Sequence, residues 1–346
     1  MSKITKTGLI LEGGGMRGVF TAGILDFFIE KGLEFDTCFG VSAGACMACS
    51  YLSKQKGRGY HTFTDYMDNP EYCGIKSLIK TGDYFGTDMI YRKIPEKLNP
   101  YDYDTYNRQK TKFYAVVTNC ESGNAEYKEI KDMKKGTCYV RASSSLPLMS
   151  RTVWIHKKPY LDGGITDSIP IMEAQRMGNK KNVVVLTRDR TYRKEKNKLI
   201  PAMKVRYGKK FPKLIEALEN RHIGYNQTLD YLYRQEKEGK VFILQPQKPV
   251  EIGRLEKDTD KLHKLYEEGY ETAQNYYEAL KEYAAQKQIQ YRNLEELVKN
   301  QKIQALISER IEALQKNFAR FEQIKRFTLL PQAFSMEKGE LTNTLK

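Results

Sequence analysis

The sequence predicts an α/β fold in which a largely parallel central sheet carries helices on both faces. Short apolar segments with strand character recur between residues 9 and 187, and helical or polar stretches separate them. Two of these segments run straight into a Gly-rich turn and then a helical pattern, as a strand feeding a crossover helix does. Hydrophobic residues make up 40% of the 346, enough for a sizeable core. No apolar run approaches the ~20 residues that a membrane helix needs.

Taken in order, Leu9-Ile10-Leu11 is the first strand and leads into Gly13-Gly14-Gly15. A helix follows over about 19–31, apolar on most sides, with Gly32 placed to end it. Further strands are predicted at 37–41, 113–118, 153–155 and 183–187, and a helix at 45–53. Residues 52–110 are rich in Tyr, Gly and Asp and read as a loop-and-helix cap. Beyond Arg188 come helical segments near 214–235, a strand at 241–244 and a helix over about 258–288. In the tail, Ile303, Leu306, Ile307, Ile311, Leu314, Phe318 and Phe321 recur at helical spacing and mark one face. The six cysteines are too sparse for a disulfide framework. Cys46 and Cys49 form a C-x-x-C without a second close Cys/His pair, so no metal site is expected and they read as small buried side chains.

Three motifs carry chemistry. The first is Gly13-Gly14-Gly15-Met16-Arg17-Gly18, between a strand and a helix. Its glycines leave backbone N–H groups uncovered at a helix N-terminus, where they can hold a phosphate or a developing oxyanion. It formally matches the dinucleotide fingerprint, with Asp36 near the position of a ribose-binding acid. Asp36, however, is read as preceding the second strand rather than ending it, which counts against a nucleotide cofactor. The second motif, Gly40-Val41-Ser42-Ala43-Gly44, is a nucleophile-elbow pattern. Its flanking positions must be Gly because side chains there would collide with neighbouring elements. A serine nucleophile needs a base. His156 is the histidine closest to any motif but reads as a turn residue. Asp162, in Asp162-Gly163-Gly164, is the better base, although Asp-Gly-Gly alone also reads as a β-turn. With an ordinary pKa near ~3.9, such a base would lean on an oxyanion hole and on positioning.

Together and in this order, the three motifs resemble the patatin-like phospholipase family. The resemblance implies a patatin-type three-layer α/β fold over about 7–188 and hydrolysis of lipid acyl esters by a Ser–Asp dyad without a cofactor. It makes Ser42 the nucleophile and Asp162 the base. The Gly13–Gly15 loop becomes the oxyanion hole, with Arg17 steadying it. The 142–147 stretch resembles the family's small-residue helix near the active site, with no catalytic role for its serines. One departure is Asn119, where many members have Asp. Residues 189–288 form a basic linker and a mainly helical C-terminal extension. The extension resembles that of bacterial cytoplasmic members on Gln245-Pro246, on the stretch from Ile252 to Asp258 and on Leu262 to Tyr270, which carries the likeness to about 288. The tail, 289–346, resembles the end of long-chain acyl-CoA synthetases. Without that family's nucleotide-binding domain, no ligase activity is expected of it.

The formal net charge of +15 narrows the partners. Residues 176–213 hold fourteen Lys/Arg against only Asp189 and Glu195. No aromatic-interleaved nucleic-acid motif accompanies them, so no nucleic acid is expected. The segment reads either as a solvated surface run or as peripheral contact with an anionic membrane, which charge reversal at Lys194, Lys196 and Lys198 should weaken. The first seven residues lack an apolar signal core, so cytoplasmic residence is expected, with peripheral contact at the inner membrane face. Two other readings stay open: an acyltransferase with the same dyad, and a non-catalytic membrane- or nucleotide-binding module.

Overall fold

Alternation along the first strand sets the architecture. Leu9 and Leu11 enter one hydrophobic core, and Ile10 enters another on the opposite face. The computed structural model describes residues 3–285 and, beyond them, only positions 298, 303–305, 307–308, 311, 315, 324 and 327–329. Residues 1–285 form one unit and residues 286–346 another.

In chain order the first unit holds β1 (Lys3–Leu11), α1 (Gly18–Glu30), β2 (Glu34–Val41) and α2 (Ala43–Leu52). A cap follows, made of α3 (Arg58–Thr64), α4 (Ile75–Thr81), a π-helix (Met89–Leu98) and α5 (Tyr103–Arg108). Then come β3 (Lys112–Asn119), β4 (Ala125–Glu129), α6 (Met133–Ser143), β5 (Val153–Ile155), β6 (Lys158–Asp162) and α7 (Ile171–Arg176). The unit closes with β7 (Lys181–Val185), α8 (Ile200–Tyr207), α9 (Pro212–Lys237), β8 (Val241–Leu244), α10 (Thr259–Asn275) and α11 (Tyr277–Ala285).

The eight strands form one sheet in the order β5-β6-β3-β2-β1-β7-β8, with β4 also paired to β3. The stretch from β3 to β8 is parallel; β4, β5 and β6 are attached antiparallel. From β1 the chain crosses to β2 on one side, and from β7 it crosses to β8 on the other. The carboxyl ends of β1 and β7 therefore flank a topological switch point, where open α/β sheets leave a ligand crevice.

Leu9, Leu11, Val183 and Val185 pack under α1, α2 and α10. Ile10, Val184 and Leu186 pack under α7 and α9. Coverage of both faces explains why these strands read as unbroken apolar runs. The extension is part of this packing. Gly23 of α1 and Gly269 of α10 let the two backbones touch: a Cβ on Gly23 would lie 2.1 Å from the Tyr266 carbonyl oxygen, and one on Gly269 2.1 Å from that of Phe20. The Tyr266 hydroxyl then donates to Asp26 Oδ2 at 2.9 Å.

Several expectations shift. Asp36 lies inside β2 rather than before it. The helix expected over 258–288 is two helices that break at Tyr276. The sequence predicts neither β4 nor most of α6, and of the small-residue helix expected at 142–147 only Ala142 and Ser143 are helical, as the end of α6; β4 is Ala-Glu-Tyr-Lys-Glu, half-buried, and carries no apolar alternation. Of the tail's helical face, Ile303, Ile307 and Ile311 are helical, and Leu306, Leu314, Phe318 and Phe321 lie outside the described residues. The acyl-CoA-synthetase-like stretch falls almost wholly outside them too.

The α1–α10 contact yields a stability test. Gly269→Ala should lower the melting temperature, since overpacking costs about 1–3 kcal/mol. Gly224→Ala on α9, with nothing within 4 Å of the added carbon, should leave it equal or higher. Thermal melts followed by circular dichroism compare the two.

Candidate active site

Ser42 sits at the turn from β2 into α2 with φ 55° and ψ −123°, a conformation that L-residues rarely adopt. The turn is this sharp because neighbouring backbones press on it. A Cβ on Gly40 would lie 2.6 Å from Ala45 Cα, and one on Gly44 2.4 Å from the Leu11 carbonyl oxygen. The Ser42 N–H donates to the buried Ser143 hydroxyl at 2.9 Å. One serine of the 142–147 stretch thus pins the elbow.

The Gly-rich loop passes directly beside it. A Cβ on Gly13 would lie 2.7 Å from Ser42 Cβ, and one on Gly18 2.9 Å from Ala43 Cβ. The loop is anchored at two points: Glu12 N–H donates to Val185 C=O at 3.0 Å and Met16 N–H to Arg254 C=O at 3.1 Å. The N–H groups of Gly13, Gly14 and Gly15 fall between these anchors. Arg17 is buried and its Nη1 donates to Ile252 C=O at 3.2 Å. Burial, then the charge of Arg188, brings its pKa down to about 10.

Asp162 ends β6 and is only 2% exposed. Its own N–H donates to Ser145 C=O at 2.9 Å, and its C=O accepts from Thr118 Oγ1 at 2.8 Å. Oδ1 accepts the Gly164 N–H at 2.7 Å, while Oδ2 has no hydrogen-bond partner. Gly163 is required here too, since a Cβ would lie 2.1 Å from the Val116 carbonyl oxygen. Burial raises the Asp162 pKa; the neighbouring Ser42 hydroxyl, Arg221 and the Gly164 N–H oppose it without reversing the direction. Asn119 builds a turn instead, its Oδ1 accepting the Glu121 and Ser122 N–H groups at 2.9 and 3.2 Å.

Two cavities meet at Ser42, Gly15 and Leu146. One is apolar, about 150 Å³, and runs under the 52–110 cap among residues such as Cys46, Phe85, Ile90, Ile94, Met133 and Val140. The other is polar, about 30 Å³, and holds Ser42 and Asp162 together with the Gly13–Gly15 loop. No histidine lines either. His156 and Lys157, at φ 49° and 65°, form the two-residue turn between β5 and β6.

Sequence reasoning missed several residues here. Glu12 is buried, its Oε2 accepting from Thr187 N–H (2.7 Å) and Oγ1 (3.1 Å) and its Oε1 from the Tyr225 hydroxyl (2.6 Å). Arg188, Lys194, Arg221 and Arg254 line the polar pocket. Lys194 is therefore not free for the membrane contact expected of it; the fold turns it inward over the Tyr225 ring, 4.0 Å from its centroid. Four other cations of the run are neutralised locally: Arg176 pairs with Glu173, Arg190 with Glu236, Arg193 with Asp230 and Lys204 with Glu219.

Residues 9–174 match the family model of patatin-like phospholipases, and residues 211–285 match a domain of unknown function. The chain therefore contains a patatin-like phospholipase domain at 9–174. It is 32% identical over 184 residues to the uncharacterized protein YjjU of Escherichia coli (strain K12), covering 52% of this chain and 51% of that one. It is 26% identical over 174 residues to lysophospholipase NTE1 of Candida glabrata, covering 49% of this chain and 10% of that one. It is 24% identical over 194 residues to the probable lipid hydrolase 463L of Invertebrate iridescent virus 6, covering 50% of this chain and 65% of that one. The matches thus span about half of the first relative, a tenth of the second and under two thirds of the third. The resemblance of the tail to acyl-CoA synthetases finds no support in these matches. Among the described residues, no helix is long and apolar enough to cross a membrane.

The raised pKa of Asp162 has a thermodynamic sign. The folded chain holds that proton more tightly than the unfolded one, so the folded state loses stability as pH rises through the raised value. Asp162→Asn should therefore melt above wild type at pH 8, with the gap narrowing as the pH is lowered toward about 4. Differential scanning calorimetry across that range checks it.

Proposed function

We propose that this chain is a serine hydrolase of lipid acyl esters that works through a Ser42–Asp162 dyad. One observation carries the reading. A serine on a strained elbow shares a pocket with a buried carboxylate whose Oδ2 is unpartnered, beside backbone amides of a Gly-rich loop. The Ser42 hydroxyl oxygen attacks the ester carbonyl carbon and its proton passes to Asp162 Oδ2. The tetrahedral oxyanion is held by N–H groups of the Gly13–Gly15 loop. Collapse breaks the ester C–O bond, and the leaving alcohol takes the proton back from Asp162. Water then attacks the acyl-enzyme, giving its proton to Asp162, and the fatty acid leaves as Ser42 is restored. The apolar cavity of about 150 Å³ takes the start of the acyl chain. The chemistry of these steps calls on no cofactor.

A buried, raised-pKa carboxylate suits this role better than an ordinary aspartate, because a base works best when its pKa nears the working pH. The lipid-hydrolase names of two relatives support the substrate class. Peripheral contact with anionic membrane belongs to the same reading. It rests on exposed cations of 176–213 outside the run's ion pairs, such as Lys198 and Lys209.

A fluorophosphonate probe should label the wild-type chain and leave Ser42→Ala unlabelled. Equal labelling of both, by gel fluorescence, would remove Ser42 as nucleophile. In kcat/KM against pH for a neutral monoacylglycerol, the acid limb should lie above the ordinary carboxyl range. Arg221→Gln should move that limb to higher pH, because Arg221 lowers the Asp162 pKa. A limb that stays in place in this variant would separate it from Asp162.

A further inference from the structure

The polar pocket contains more positive charge than the hydrolytic steps use. Arg17, Arg188, Lys194, Arg221 and Arg254 converge on it, against only Glu12 and Asp162. No ion pair joins any of the five to a carboxylate among the described residues. Glu12 is already engaged by Thr187 and Tyr225. Arg17 is 6% exposed, yet its Nε has no hydrogen-bond partner, and the Nε atoms of Arg188 and Arg221 are likewise buried and unpartnered. Burying unpaired guanidinium groups is costly unless an anion completes them. Lys194 is held in place: its N–H donates to Asn226 Oδ1 at 2.8 Å and its C=O accepts from Asn226 Nδ2 at 3.0 Å. Burial, then the charge of Arg221, pushes its ammonium down to about 7, with Glu12 opposing.

We propose that this pocket binds the phosphate of the substrate, so that the preferred lipid ester bears a compact phosphate monoester headgroup. The inference rests on the reading of Ser42 as the nucleophile. The lining agrees: five cationic side chains and the Gly13–Gly15 loop suit an anion rather than an acyl chain. Position agrees as well: the pocket lies at the β1/β7 switch point and shares Ser42 and Gly15 with the apolar cavity, so one ester can place its chain on one side and its headgroup on the other. A phosphate monoester offers two charges to the guanidinium forks, whereas a choline diester offers one and brings a cation of its own. Arg221 and Arg254 come from the 211–285 segment, so that domain supplies part of the headgroup pocket.

The test uses the full chain and three substrates: 1-oleoyl-lysophosphatidate, 1-oleoyl-lysophosphatidylcholine and 1-monoolein. Wild-type kcat/KM should favour lysophosphatidate at least tenfold over both others, and inorganic phosphate should inhibit its hydrolysis competitively. Arg254→Gln changes an exposed side chain and keeps the carbonyl that anchors Met16. It should lower the lysophosphatidate-to-monoolein ratio about tenfold, and Arg254→Lys should recover part of the loss. A wild-type ratio near one, or one unmoved in both Arg254→Gln and Lys194→Gln, overturns the proposal. If the wild type hydrolyses none of the three, the hydrolase reading fails, and calorimetry on Ser42→Ala decides the pocket alone. Lysophosphatidate binding weakened tenfold by Arg254→Gln then sustains it, and absence of binding overturns it. Binding of inorganic phosphate without lysophosphatidate identifies a free-anion site and overturns the headgroup assignment.

Discussion

Two strand-to-helix turns touch at backbone distance, and the site depends on that contact. The end of β1 presses its Leu11 carbonyl against Gly44, and the loop after it lays Gly13 against Ser42. Either glycine with a side chain would force the turns apart. Because β1 and β2 are neighbouring parallel strands, paired from Leu9–Cys38 to Leu11–Gly40, their carboxyl ends arrive level with each other. The same register that builds the sheet thus sets the loop amides beside the serine. The third partner comes from an antiparallel strand: β6 pairs Asp162 with Val117 and brings the carboxylate in from the β3 side.

That geometry places charges where water is scarce. Asp162 loses solvation on burial, and the Gly164 N–H holds its Oδ1. In the proposed reaction, its cost to the fold and its strength as a base have the same physical origin. Around it the cations repel one another as well as attracting the carboxylates; burial first, then Arg188, pushes Arg17 down, and burial first, then Arg221, pushes Lys194 down. The pocket is therefore held together by packing and backbone hydrogen bonds rather than by its electrostatics. Sites of this kind give up stability in exchange for affinity toward the missing charge.

How much of this was legible in the sequence follows from how local each requirement is. Glycines at 13, 40, 44 and 163 mark close approaches of backbone, and such positions admit no substitute, so they stand out without knowledge of the fold. Ser42 and Asp162 were visible because each sits next to such glycines. The sheet core was legible because strands covered on both faces need unbroken apolar runs, as in Leu9-Ile10-Leu11. The cations were not legible. Lys194, Arg221 and Arg254 look like any solvated charge along the chain, and only tertiary packing separates Lys194 from its exposed neighbours Lys196 and Lys198. β4 escaped for a related reason: its pairing with β3 comes from the sheet edge and not from its own pattern. The Ser143 hydroxyl, 101 positions from the backbone it holds, carries no local sign of its task.

The same packing shows why the segment beyond 174 cannot be treated as an accessory. The Gly-rich loop lies within the patatin-like stretch, but several of its anchors do not. Met16 N–H is held by the Arg254 carbonyl, and the Arg17 guanidinium by that of Ile252. Behind the loop, α1 is seated on α10 at glycine distance, and β8 extends the sheet past β7. If 211–285 were absent, α1 would expose an apolar face and the loop would lose the carbonyls that orient it. The amides at 13–15 would then no longer be fixed relative to Ser42, and electrostatic stabilisation is strong only when donors are fixed beforehand. A sequence boundary near 174 is thus not a boundary of the structure that positions the site; the unit that could do chemistry extends to Ala285.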